Sequence, residues 1–254
     1  MKDIEYILDF AINLGCRLLK AGAPLERAND TMERVCKSYS LCDISIFSLS
    51  SLISLSARDG EDNFASRQIS VSGISIHLDK IRRYNSLSRA VCANTPDPAL
   101  LEDMLCESEN FKEYSNWTIL AGRMLATLSL AFLFGGTLRD ILATCIVVFG
   151  LFWLDLALAK TSLNHIIENI ICMFYCGAAC SLLFYLGLGD NYFIMVISCS
   201  MVMLPGIGLV NAARNLLCGN EMNGILEILK ALFETLALAL GLIIAIVLFG
   251  GSLS

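Results

Sequence analysis

The sequence predicts an α+β domain with a small antiparallel sheet, followed by an all-α membrane bundle of five transmembrane helices. Three observations carry that expectation. The 254 residues are 56% hydrophobic with a mean hydropathy of +0.66, too apolar for a soluble domain of this length. The charges are uneven: residues 1–114 hold 13 Lys/Arg and 17 Asp/Glu, and residues 115–254 hold only 5 and 7. The second segment also contains five stretches of about 20 mainly apolar residues, the length a spanning helix needs. The expected division is therefore 1–114 for the polar domain and 115–254 for the membrane domain.

The polar domain follows from its periodicities. Ile4, Ile7, Leu8, Ala11, Leu14 and Leu18 recur at helical spacing, so 3–20 reads as an amphipathic helix. Gly22 suits the position that ends it, and Pro24 the first turn of a second helix over 24–39. Alternation in DISIFSLSSLISLSA predicts strands at 43–49 and 51–57. After the turn-like RDGEDN, RQISVS predicts a third at 67–72. Helices are expected again at 78–93 and 97–108, the last opened by Pro96-Asp97-Pro98.

The spans are expected near 116–136, 139–158, 167–188, 191–212 and 229–250, with glycines at several ends, including Gly135-Gly136 and Gly250-Gly251. With the polar domain on the cytosolic side, Lys160, Arg214 and Lys230 lie near the inner face and only Arg139 faces out, as the positive-inside tendency requires. Arg123, Asp155, Glu168 and Glu234 fall in or at the ends of spans. A charge at mid-membrane costs about 2.5–3.5 kcal/mol, so it faces water or a partner, or snorkels to the headgroups when near an end. Arg123, about eight residues into its span, is the deepest.

The fourth span is interrupted. In MVMLPGIGLVNAARNLLCGNEMNG, Pro205 removes a helical hydrogen bond, and Gly206 and Gly208 let the backbone deviate. Non-helical backbone at membrane depth is tolerated where it is buried in protein or lines a wet cavity, and broken helices present backbone groups to solutes in many transporters. Asn211 and Arg214, a turn apart, would then hold a carboxylate. A kinked packing helix with an Asn cap and an Arg anchor is the alternative.

Several classes are excluded or disfavoured. A net charge of −6 offers no basic patch for nucleic acid. MKDIEYILDF lacks the basic-then-apolar form of a signal peptide. The eleven cysteines form no CxxC pair, which argues against a disulfide scaffold or a paired metal motif. Cys172, Cys176 and Cys180 do recur every four residues; they read as small polarizable packing residues rather than as a soft-metal site. His77 and His165, the only histidines, lie in different segments, and no HExxH, P-loop or GxSxG occurs. No catalytic residue, metal or cofactor is expected.

Two segments carry a family resemblance. LPGIGLVNAARNLLCGNEMNGILEILKAL resembles the signature of the threonine/serine exporter family, PG…N…RD…G…G followed by an apolar helix ending in glycine. LLKAGAPLERANDTMERV and ISIHLDKIRRYNSLSRAV resemble two N-terminal segments of that family, in the right order. The resemblance implies a secondary exporter of small hydrophilic metabolites, either threonine and serine or dicarboxylates such as succinate, in a cell inner membrane. Because the chain ends just after the fifth span, it resembles the split kind, which works with a second membrane subunit of about four or five spans; a higher oligomer is left open. On this reading Pro205, Gly206, Asn211 and Arg214 line the path and Arg123 attracts the solute carboxylate. Three positions depart from the pattern: Asn215 stands where Asp is usual, Ala28-Asn29 where Val-Glu is, and His77 where Asn often is. Asn215 cannot carry a coupling proton, so Glu234 or Asp155 takes that role. The rival readings are a membrane-tethered enzyme with hydrolase-like chemistry in 1–114, and a regulatory subunit of a transporter.

Overall fold

The computed structural model describes residues 2–73, 75–109, 114–161 and 163–249, arranged as two compact units. The first comprises Met1–Lys112 with Asn211–Leu226, and the second Glu113–Val210 with Glu227–Ser254.

In the first unit, helix α1 (Lys2–Lys20) ends in a Schellman motif. Gly22 sits at φ +81°, its N–H donating to Leu19 O and that of Ala23 to Leu18 O. Helix α2 (Leu25–Ser38) starts one residue later than expected: Pro24 is its cap, in extended backbone, rather than part of its first turn. Gly15 has no side chain, and Met32 of α2 occupies the space a Cβ would take. The sheet is antiparallel in the order β1 (Cys42–Leu49), β2 (Leu52–Arg58), β3 (Phe64–Ser70). Ile53, Leu55 and Ala57 are fully buried in one core with Leu8, Leu14, Leu18 and Met32, while Ser54 and Ser56 face away. Strand β3 begins three residues earlier than expected because the turn is tighter than its composition suggests. The Asp59 carboxylate accepts from the N–H groups of Glu61 and Asn63, both at 2.9 Å, and reverses the chain within RDGEDN. Helix α3 (Leu78–Asn94), a 3-10 turn capped by Asp97 (Pro98–Leu100) and helix α4 (Leu101–Glu107) complete the N-terminal part.

The second unit is helical. Helix α5 (Asn116–Leu133) ends at Gly135, φ +79°. Helix α6 (Leu138–Leu158) opens with a capping box between Thr137 and Asp140. The fully buried Asp140 also accepts from the N–H groups of Asp190 and Asn191 at 2.7 and 2.8 Å, fixing the loop before α8 to the start of α6. Helix α7 (His165–Tyr185) is capped by Asn164, so Glu168 lies within its first turn rather than opening it.

The interrupted segment is α8 (Tyr192–Met201) and α9 (Gly206–Leu217), bent by 54° across the break at Pro205. Helix α10 runs Glu221–Phe249. It begins eight residues before its expected start, because nothing in EMNGILEI ends a helix. Gly224 is accommodated there: a Cβ would press on Leu216 and on Ala212 O. Glu234 therefore lies mid-helix, not near the start. Among the described residues, four helices (α5, α6, α7 and α10) are long and apolar enough to cross a membrane, or up to five if the bent pair is one span. Gly250, Gly251 and the linker at 110–113 lie outside the described residues.

Candidate functional site

The second unit holds a cavity of about 210 Å³ lined by side chains of four helices. Arg123 and Thr127 come from α5, Asp155 from α6, His165 and Asn169 from α7, and Cys199 from α8. Val202 and Met203, in the stretch leading to Pro205, close it. Helical spacing sets the polar lining in pairs: Arg123 and Thr127, and His165 and Asn169, are each four residues apart and share a face.

Its electrostatic centre is the Arg123–Asp155 ion pair, Nη2 to Oδ2 at 2.7 Å. Both side chains are partly open, 37% and 43% exposed, and the guanidinium lies 5.7 Å from the centre of the Phe152 ring. Pairing offsets the cost of carrying each charge on an apolar helix. His165 Nδ1 lies 3.3 Å from Glu168 Oε2 one turn along. The cavity thus offers one fixed cation, one anion, an imidazole, an amide and a hydroxyl. A solute with a carboxylate can compete with Asp155 for Arg123, and one with an ammonium can compete with Arg123 for Asp155.

The sequence-predicted site residues fall into three pairs and one separate carboxylate. Arg123 and Asp155, assigned to solute and proton separately, are in contact. Pro205 closes the break that follows Met203, and Gly206, expected in the break, is instead the first residue of α9. Asn211 and Arg214 belong to the first unit, where Arg214 Nη2 pairs with Glu26 Oε2 at 3.2 Å and Asn211 is half-buried. Cys218, one turn beyond Arg214, also reaches Glu26, at 3.4 Å. Glu234 is 14% exposed on α10 and lies 4.0 Å from Lys230.

Sequence reasoning passed over His165, Asn169, Thr127 and Cys199. The four-residue polar spacings on α5 and α7 were the available signal for the first three; nothing in the sequence singles out Cys199.

The same segment carries a clamp in the first unit. Asn223, 3% exposed, accepts from Ser50 N at 2.8 Å and from Ser50 Oγ at 3.1 Å, and donates to Ser48 O at 3.1 Å. Ser48 in turn donates to Asn29 at 2.6 Å. The start of α10 is thereby fastened to the β1–β2 turn.

A family model for threonine/serine exporters (ThrE) matches residues 9–249. No curated protein and no solved structure matches the chain.

Proposed function

The chain belongs to the threonine/serine exporter family, and from that premise we propose that it is one subunit of an ion-coupled secondary exporter whose solute binds in the Arg123–Asp155 cavity. The family is one of membrane transporters, and the apolar helices suit a bilayer. The observation that carries the proposal is a contacting cation and anion in one hollow. A zwitterion complements such a pair, carboxylate to Arg123 and ammonium to Asp155. A dicarboxylate such as succinate needs a second cation, which only a protonated His165 supplies among the lining residues. Threonine and serine therefore fit better than succinate.

Exchange at the pair gives a coupling step. When a zwitterion binds, its carboxylate takes Arg123 and its ammonium replaces Arg123 beside Asp155; when it leaves, the ion pair re-forms, and Asp155 is one candidate carrier of the coupling proton. Glu234 is the second candidate carrier. Pro205 and Gly206 supply the adaptable backbone beside the cavity, and Asn211 and Arg214 are further candidates for solute contact. The N-terminal domain faces the cytosol of an inner-membrane assembly that includes a second, smaller membrane subunit.

Counterflow in liposomes holding this chain and its partner tests the reading, with threonine, serine and succinate compared side by side. Arg123→Gln and Asp155→Asn should each abolish counterflow while the protein still inserts. Wild-type counterflow in both would remove the cavity from the path. For Arg214, Glu26→Ala decides: if Arg214 serves the solute, efflux survives Glu26→Ala but not Arg214→Ala.

A further inference from the structure

We propose that Cys176, Cys180 and Cys199 form a binding site for a soft monovalent cation of the Cu(I) type, set in the wall of the Arg123–Asp155 cavity. This goes beyond the transport reading and does not depend on it. The three Sγ atoms all lie within 4.8 Å of one another, and the residues are 0%, 0% and 1% exposed. Cys176 and Cys180 are one turn apart on α7; Cys199 is brought to them by α8. The sequence places Cys172 on the same stripe, but the fold leaves it out of the group and recruits a thiol from another helix instead. Packing alone would account for a stripe along one helix. It does not account for three sulfurs from two helices converging on one point.

The ligand set decides the ion. At a metal–sulfur distance of about 2.3 Å, three sulfurs around one ion stand about 4 Å apart, so small side-chain rotations close the group. Structural zinc sites use four ligands, and no nitrogen or oxygen ligand joins these three among the described residues. Thiolates without harder donors select Cu(I), which accepts three-coordinate sulfur.

Two further observations point to an occupant. The Tyr192 hydroxyl is buried and has no hydrogen-bond partner among the described residues, and Tyr192 is only 4% exposed. It lies 3.9 Å from where a Cβ on Gly177 would be, and Gly177 stands between Cys176 and Cys180 on α7. A buried hydroxyl without a partner costs free energy, which a charged acceptor brought within its reach would offset. Cys199 also lines the cavity, so an ion entering there meets one of the three sulfurs first. On binding, all three thiols release their protons to water, because the ligand is the thiolate. The copper stays Cu(I) throughout, so no oxidant or reductant enters, and the complex carries two negative charges.

The test uses the full-length chain, purified in detergent under reducing, anaerobic conditions, with the exposed Cys42, Cys106 and Cys218 replaced by Ser to remove competing thiols. Cu(I) is titrated against a chromogenic Cu(I) chelator. The expected result is one equivalent retained against the chelator, with a three-sulfur shell by X-ray absorption. That equivalent should disappear in Cys199→Ala and in Cys180→Ala, and persist in Cys172→Ala. Two separate single variants guard against misfolding of either one. No retained equivalent, or retention in both Cys199→Ala and Cys180→Ala, overturns the proposal.

Discussion

Replacing Asn223 with Ala removes three hydrogen bonds at one buried point: those from Ser50 N–H and Ser50 Oγ, and that to Ser48 O. Each is worth about 0.5–1.5 kcal/mol net, and the buried Ser48 carbonyl and Ser50 amide left behind add desolvation cost. Since such terms overlap, the expected weakening of the clamp is about 2–4 kcal/mol. At about 1.4 kcal/mol per factor of ten, the junction should open some 30- to 1000-fold more often. Hydrogen–deuterium exchange on the full chain in nanodiscs reads this directly. Amides of 48–52 and of 215–226 should exchange faster by that factor in Asn223→Ala, while amides in the middle of α1 stay unchanged. Asn223→Asp keeps the acceptor but faces the Ser48 carbonyl with an anion instead of a donor, and should show a comparable increase. If exchange at Ser50 stays within twofold of wild type in both variants, the clamp does not hold the junction.

Three other outcomes are expected. Gly241→Ala on α10 would place a Cβ against Ile170 O and Phe174 N of α7, backbone that cannot rotate aside. It should cost about 1–3 kcal/mol and lower the thermal midpoint in detergent; an unchanged midpoint would mean the two helices are not in contact there. Asp140→Asn leaves an amide where Thr137, Asp190 and Asn191 all donate to a carboxylate, so it should cost about 2–4 kcal/mol by the same unfolding measurement. Burial pushes the Cys36 thiol up to about 12, so at pH 8 almost none is thiolate. Maleimide labelling followed by mass spectrometry should modify exposed Cys42 and Cys106 within minutes and leave Cys36 free until the protein is denatured.

The elements readable in the sequence are those with a strong period. Helix α1 and strands β1 and β2 follow from where Leu and Ile fall, because their buried faces face one core. The start of β3 was hidden, because it depends on one side chain, Asp59, bonding back to the chain. The start of α10 was hidden by NEMNG, whose polar residues look like a loop; Asn223 is polar because it serves the β1–β2 turn rather than solvent. Charges inside the spans were legible as single residues, but not as pairs. Arg123 with Asp155, and Arg214 with Glu26 at a separation of 188 positions, are set by how helices pack, which periodicity does not encode.

Because residues 211–226 are built into the same body as the N-terminal elements, that body is not contiguous in sequence. A fragment cut near residue 112 would leave the Glu26 carboxylate and the Ser48–Ser50 turn facing bulk water. Inactivity of such a truncation would therefore say little about whether the domain has chemistry of its own. A faithful excision needs the later segment rejoined through a designed linker.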